Sequence, residues 1–461
     1  MTFRKFNKKI DGSDIWEGDV YERKEEAEFL TSILSNCKDG FVMNIDASWG
    51  SGKTFFLERW KKSIEDIYPC LYFNAWESDY SDEPLAVFLA DANDQLKLLT
   101  SKKNEKVKSF LSKGIRVLAK SAPIITKSAL KKAFGDEGVD GVKDVFDSEF
   151  EKTLFDISEN VVKEQIKNYQ ERKKSIKEFK ESIEDLIDFF KVENIKQPPL
   201  FIFVDELDRC RPDFSIKFLE QVKHILTTGN VVFVVATDTR QLESSIGSIY
   251  GEKFDSTTYL RRFFDQTYRL KKLNIHKFVE ALFKSSPFTK NNAELFSYKS
   301  NCQDSFIWIS HLFDLTPRDI EQLFSKLYAA LVANKKIRII HIDYLLMILV
   351  AQIRVSSDYY NTYVLGKVLP EELWENLRTY IKFDHGLDTY LTAMSYYFNS
   401  ANNNSVTITE KCRALDNAYS SNNGKRNEND KYGFYILTKI MEDFDSYFKQ
   451  KEIAELSNNI S

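Results

Sequence analysis

The chain has 461 residues, 43% of them hydrophobic and 29% charged, and a formal net charge of -4. That composition excludes wholesale disorder, and the small net charge excludes attraction of the whole surface to nucleic acid or anionic lipid. Cys37, Cys70, Cys210, Cys302 and Cys412 lie far apart with no CxxC pair, which speaks against a zinc site or disulfide framework and for a reducing, cytoplasmic setting.

The length predicts two to three structural units. Met1–Lys9 is basic, but no apolar segment follows it, so no signal peptide is expected. No run approaches the ~18 apolar residues of a membrane helix, so no transmembrane segment is expected. From Asp19 to Asn36 apolar residues recur at helical spacing, among them Ala27, Phe29, Leu30, Ile33 and Leu34. Phe41–Asp46 reads as a short buried strand, followed by glycines and then a helix carrying Phe55, Phe56, Leu57 and Trp60. A second strand, Cys70–Phe73, ends at Asn74-Ala75-Trp76-Glu77. Residues 85–195 read as almost wholly helical, with apolar positions at 176, 179, 183, 186, 187 and 190. Pro198-Pro199 closes that region and feeds the apolar strand Leu200–Val204; Val231–Ala236 and Gln266–Leu270 follow. Apolar runs separated by helices predict an α/β fold around a parallel sheet buried on both faces. From about 272 onward the pattern is helical, with Tyr344–Ala351 as a buried helix and polar loops at 399–405 and 419–431.

Two motifs carry chemistry. Ala47-Ser48-Trp49-Gly50-Ser51-Gly52-Lys53-Thr54 sits between a strand and a helix, the context of a phosphate loop (Walker A). Glycines let backbone N–H groups turn toward phosphate oxygens, and the helix N-terminus adds partial positive charge. Lys53 would reach the β- and γ-phosphates and Thr54 would ligate Mg2+. Ala47 stands where the motif has its first glycine. Leu200–Val204 runs into Asp205-Glu206, a Walker B pattern. Asp205 would hold the Mg2+ and Glu206 would act as general base on the attacking water. Without an Asn-Lys-x-Asp guanine signature, ATP is the expected nucleotide.

Three further positions are candidates. Thr237 or Asp238 at the next strand tip is read as a γ-phosphate sensor or as an ordinary helix cap. Arg261 and Arg262 suit an arginine finger that reaches a neighbouring subunit's nucleotide, or a solvated helix face. Thr316 and Pro317 open a helix as N-cap and first position, and Arg318 is expected to fold back on the phosphates or to stay at the surface.

Glu-Arg-Lys-x-x-Ala near the N-terminus, Trp-Gly-Ser-Gly-Lys-Thr, Phe-Asn-Ala-Trp-Glu, Asp-Glu-Leu-Asp-Arg-Cys-Arg-Pro and Thr-Pro-Arg-Asp-Ile together resemble the KAP family of P-loop NTPases over roughly residues 14–330. The resemblance implies an additional-strand, RecA/AAA-like three-layer αβα core with a helical lid. It implies ATP and Mg2+ as cofactors, with Arg23, Trp49, Gly50, Ser51, Gly52, Lys53, Thr54 and Phe55 in contact with the nucleotide. It also implies homo-oligomers and a role in bacterial antiphage defence beside a partner effector. Two departures stand out. Family members often carry transmembrane helices between the two Walker motifs, where this chain is polar. They also end the Walker B strand in Asp-Asp, where this chain has Asp205-Glu206, which favours hydrolysis. The expected organisation is 1–84 and 196–271 as the two parts of the core, 85–195 as a helical insertion, 272–345 as the lid and 346–461 as a C-terminal helical domain.

Within the insertion, residues 102–132 are basic and amphipathic: Lys102, Lys103, Lys106, Lys108, Lys113, Arg116, Lys120, Lys127, Lys131 and Lys132 interleave with apolar residues, and Glu105 is the lone acid. Such a helix packs its apolar face on the core, tracks nucleic-acid phosphates or lies on a membrane surface as a peripheral contact. Acids in 136–195 favour packing. Three functional readings follow: an ATPase acting as oligomeric regulator or sensor, a nucleotide-gated scaffold with negligible turnover, and a nucleic-acid-stimulated motor. His311, His341 and His385 are isolated and read as packed or surface residues.

Overall fold

The structure is a computed structural model describing residues 14–20, 22–100, 104–121, 161–272, 274–284, 294–296, 301–333, 339–354 and 379. The sequence expectations for 355–461, apart from 379, and for 102–103 and 122–132 lie outside the described residues. Two compact units divide the chain, one of Lys9–Lys272 and one holding Leu273–Ser461 with Met1–Lys8.

The first unit is built on five parallel strands, β1 (Phe41–Asp46), β2 (Cys70–Asn74), β3 (Leu200–Asp205), β4 (Val231–Thr237) and β5 (Gln266–Arg269), in the order β2-β3-β4-β1-β5. Side chains alternate between faces along a strand, so each apolar run serves two cores. Met43, Ile45, Phe201, Phe203, Val232 and Val234 meet α1 (Arg23–Leu34) and α2 (Lys53–Ile64), where Phe56, Leu57 and Trp60 are fully buried. Trp60 donates from Nε1 to Thr31 Oγ1 at 2.7 Å, which ties the two helices together. The opposite face presents Val42, Phe73, Ile202, Val204, Phe233 and Val235 to α3 (Pro84–Leu99), α4 (Glu105–Ser121), α5 (Val161–Val192) and α6 (Pro212–Gln221). The result is a three-layer αβα core. The central strands β3 and β4 are buried at every residue. β5 is mostly exposed, against the expectation of a strand covered on both faces: it is an edge strand, and its polar sequence Gln-Thr-Tyr-Arg suits that place. α7 (Thr239–Tyr250) and α8 (Ser256–Leu260) lead from β4 to β5.

α4 carries the described half of the basic segment. Val107, Phe110, Val117 and Leu118 are buried in the same core as Phe179 and Ile183 of α5, and Ile115 is buried too. Its cations face acids of α5, with Lys106 to Asp185 at 3.4 Å, Arg116 to Glu178 at 3.5 Å and Lys120 to Glu171 at 3.1 Å. Each pair is exposed enough to contribute little to stability. These contacts support the packing reading of this segment.

The second unit contains α9 (Ile275–Lys284), α10 (Cys302–Leu312), α11 (Pro317–Ala333) and α12 (Ile342–Arg354), with a two-stranded parallel sheet of β6 (Glu294–Phe296) and β7 (Ile339–His341). The sheet departs from the all-helical expectation; strands this short carry no readable period. α12 is apolar on all sides over Leu345–Ala351, and that stretch is fully buried, as expected of a core helix. α11 starts with a reciprocal cap, Asp319 N–H to Thr316 Oγ1 at 3.3 Å and Thr316 N–H to Asp319 Oδ2 at 3.0 Å. Among the described residues, no helix is long and apolar enough to cross a membrane.

Candidate phosphate-loop site

β1, β3 and β4 are neighbours in the sheet, so their C-terminal tips converge at one edge, where ligands gather in open parallel sheets. The loop after β1 turns through Gly50 (φ 79°) and Gly52 (φ 88°), left-handed positions that a side chain would strain. Gly52 is the N-cap of α2 and offers no side-chain cap. The first-turn amides of α2 therefore face the loop without a side-chain acceptor, the arrangement that receives an anion.

Trp49 is held from both ends. Its backbone N–H donates to Asp238 Oδ2 at 3.1 Å, and its indole Nε1 donates to Asp208 Oδ2 at 2.5 Å, although the ring is 45% exposed. Lys53 is buried; its Nζ donates to the Ala47 carbonyl at 2.7 Å and lies 3.7 Å from Asp208 Oδ2. Two polar atoms here are buried without a hydrogen-bond partner among the described residues, Ser51 Oγ and Asp208 Oδ1. Buried polar groups without partners cost free energy, and a phosphate-bearing ligand with its hydrated cation brings both donors and acceptors to this spot. The residues present thus fit a nucleotide triphosphate with a divalent cation.

Asp205 ends β3 and is buried, with Oδ2 accepting from the Tyr72 hydroxyl and Oδ1 from the Glu206 N–H, both at 2.8 Å. Burial, then the charge of Asp205, pushes the Tyr72 phenol up, so it stays a donor. Glu206 takes a left-handed backbone (φ 60°), and its Oε1 pairs with Arg209 Nη1 at 2.6 Å. Burial raises the Glu206 carboxyl above the ordinary range, with the Arg209 charge working the other way. Thr54 follows Lys53 in the first turn of α2 and is half-buried. Among the described residues no group of three or more His, Cys, Asp or Glu is arranged to hold a metal; Thr54 and Asp205 would serve only with oxygens from a ligand and water.

The remaining candidates fall in different places. Thr237 is buried and donates to Asn44 Oδ1 at 2.8 Å, in a network with Thr239. Asp238 precedes α7, yet its carboxylate makes no cap; Asp46 Oδ1 accepts from Thr239 N–H instead, at 3.0 Å. Phe55 is buried, with the Arg59 guanidinium 3.7 Å above its ring. Arg23 is 2% exposed, bonds Glu26 and the Lys271 carbonyl (3.0 Å), and touches the loop through the Ser51 carbonyl at 3.5 Å. Arg261 and Arg262 are exposed just after α8. Arg318 is exposed on α11, in the second unit. Reading the sequence missed Tyr72, and took Asp208 and Arg209 only as parts of a motif. The spacing of Asp205, Asp208 and Arg209 around one tight turn was the available signal for the last two; nothing in the local sequence marks Tyr72.

No curated protein matches this chain. The description that does match is the KAP family P-loop domain, over residues 23–331, which is more than half of the chain. The loop geometry and this match agree: the chain belongs to the KAP family of P-loop NTPase domains.

Proposed function

We propose that the chain binds ATP with Mg2+ at the loop 49–55 and hydrolyses it. The observation that carries this reading is the buried Lys53 ammonium at an uncapped helix N-terminus, 3.7 Å from Asp208 on the turn that follows Asp205 and Glu206. The amides of Gly50 to Thr54 and the Lys53 ammonium would bind the phosphates, and Thr54 and Asp205 would hold the cation. When bound, that cation neutralises charge across the β- and γ-phosphates. Glu206 takes the proton from the attacking water; burial makes its carboxylate the stronger base. Asp238 shapes the loop through Trp49, and Thr237 supports the strand tip from below. Arg261 or Arg262 would act on a neighbouring copy's nucleotide in an oligomer; Leu260, Phe263 and Phe264 are buried around them and would hold that end firm.

The same reading makes the protein an oligomeric regulator in bacterial antiphage defence with a protein effector, on the strength of family likeness alone. A cytoplasmic setting is supported by the free thiols of Cys37, Cys70, Cys210 and Cys302.

A second reading, a nucleotide-gated scaffold with negligible turnover, is favoured by one observation: Glu206 is engaged by Arg209 rather than free for water. Calorimetric titration with Mg-ATP and phosphate release from native protein, Lys53→Ala and Glu206→Gln separate the two. An ATPase binds with measurable heat, loses binding in Lys53→Ala and loses turnover at least 100-fold in Glu206→Gln. A scaffold binds but shows no difference in turnover between native protein and Glu206→Gln. No heat in the native protein sinks both.

A further inference from the structure

The phosphate loop begins with Ala47 in place of glycine, so its first half needs another source of shape. Trp49 supplies one, because both of its nitrogen atoms are tied down by carboxylates from different strand tips. Asp238, after β4, takes the backbone N–H at 3.1 Å; Asp208, after β3, takes the indole N–H at 2.5 Å. Asp208 is buried, and among the described residues its Oδ2 also lies 3.7 Å from the Lys53 ammonium. Oδ1 of the same carboxylate is buried without a partner among those residues. A negative charge beside an anion site opposes nucleotide binding. The hydrogen bond to Trp49 is what it gives in return.

Resting on the nucleotide-binding reading above, we propose that Asp208 is a positioning residue: through the Trp49 indole it locks the phosphate loop in its binding shape before nucleotide arrives. It acts through Trp49 and touches no reacting atom. A charge-assisted hydrogen bond of this kind is worth roughly tenfold in an equilibrium constant or somewhat more. The loop amides are preorganised while it holds, and binding must supply that ordering when it is gone.

The test uses the full chain and three variants, Asp208→Ala, Asp208→Asn and Trp49→Phe, with affinity for Mg-ATP measured by calorimetry. Asp208→Ala and Trp49→Phe are expected to bind about tenfold more weakly than native protein. Asp208→Asn keeps an acceptor oxygen and is expected to stay within about threefold. In nucleotide-free protein the emission of Trp49 reports the bond directly. Asp208→Ala should shift the tryptophan emission, and that shift should vanish when Trp49→Phe is already present. Unchanged affinity in both Asp208→Ala and Trp49→Phe overturns the proposal. Tighter binding by Asp208→Asn overturns it too, since Asp208 would then act as a competing charge. So does weak binding by Asp208→Asn equal to Asp208→Ala, which would make the charge and not the acceptor the useful part. Should Asp208→Ala fail to fold, Trp49→Phe and Asp208→Asn decide alone. Absence of binding by the native protein is a separate result: it removes the nucleotide reading itself.

Discussion

The Tyr72 hydroxyl donates to Asp205 Oδ2 at 2.8 Å, so the carboxylate that would hold a cation is oriented by the neighbouring strand β2. With Oδ1 on the Glu206 N–H, Asp205 enters the site with one hydrogen bond on each oxygen and no freedom to turn. Tyr72→Phe removes the donor and keeps the ring. The buried Oδ2 is then unsatisfied, which costs about 1–3 kcal/mol. Urea unfolding of nucleotide-free protein should show that loss. Saturating Mg-ATP should restore part of it, because the cation replaces the missing partner. Equal losses with and without Mg-ATP would mean that Asp205 does not face the cation.

Arg209 restrains Glu206. The ion pair is 2.6 Å long, and the arginine also lies 5.5 Å above the Trp76 ring, which fixes its direction. The pair holds the proposed base away from water and reduces its basicity. Arg209→Ala is therefore expected to raise basal phosphate release about three- to tenfold while Mg-ATP affinity stays within about threefold. A slower variant would instead make Arg209 part of the productive arrangement.

What the sequence revealed and what it hid divide along a physical line. β3 and β4 were readable because a strand buried on both faces is apolar at nearly every position, and Leu200–Val204 and Val231–Ala236 are; β1 was readable from Phe41-Val42-Met43 and the glycines that follow it. The two glycines and Lys53-Thr54 were readable because one loop contains the whole device. Tyr72 was not, since its partner is 133 residues away, and no local pattern records a contact across strands. Arg23, which the motif placed at the nucleotide, bonds Glu26, the Lys271 carbonyl beyond β5 and the Ser51 carbonyl of the phosphate loop; its long-range partners are not visible in the local sequence. β6 and β7 escaped because three-residue strands hold too few side chains to show alternation. Whether Thr237 or Asp238 senses the γ-phosphate or caps a helix was open in the sequence, since both uses need a polar residue at that spot; the Asp238 contact to the Trp49 N–H was not foreseen. The competing cap, Asp46, comes from another strand.

Among the described residues of the helical unit, His311 is one group expected to make stability depend on acid. Partial burial, then the nearby His276 ring (centroids 5.4 Å apart), lowers its imidazole below the ordinary 6.5, with Asp314 opposing. The unfolded chain therefore binds more protons than the folded one as pH falls through and below 6.5, so stability rises with pH across that window and is lost on acidification. Hydrogen exchange at α10 amides should quicken between pH 7 and pH 5.5 beyond the intrinsic rate change. His311→Asn should flatten that dependence; an identical slope in the variant would assign it to other groups.

Two glycines test the packing of the core from opposite sides. A Cβ on Gly40 would meet Thr227 Cγ2 and lie 2.7 Å from the Thr228 carbonyl oxygen, a backbone atom that cannot swing aside. Gly40 precedes β1, and the Thr227–Asn230 turn precedes β4, so the clash would push apart the two strands whose tips carry the loop and Asp238. Gly40→Ala should cost about 1–3 kcal/mol. Gly247 lies inside α7, and a Cβ there finds only Ser256 Oγ, at 3.7 Å. Gly247→Ala should therefore stabilise by about 0.5–1 kcal/mol, through helix propensity and a less disordered unfolded chain. Because the atoms nearest Gly40 and Gly247 belong to different residues, Thr227 and Thr228 for one and Ser256 for the other, the double variant should give the sum of the two changes within about 0.5 kcal/mol. Destabilisation by Gly247→Ala would show that α7 packs more tightly than its neighbours here allow, and a neutral Gly40→Ala would show that the β1–β4 junction yields without loss.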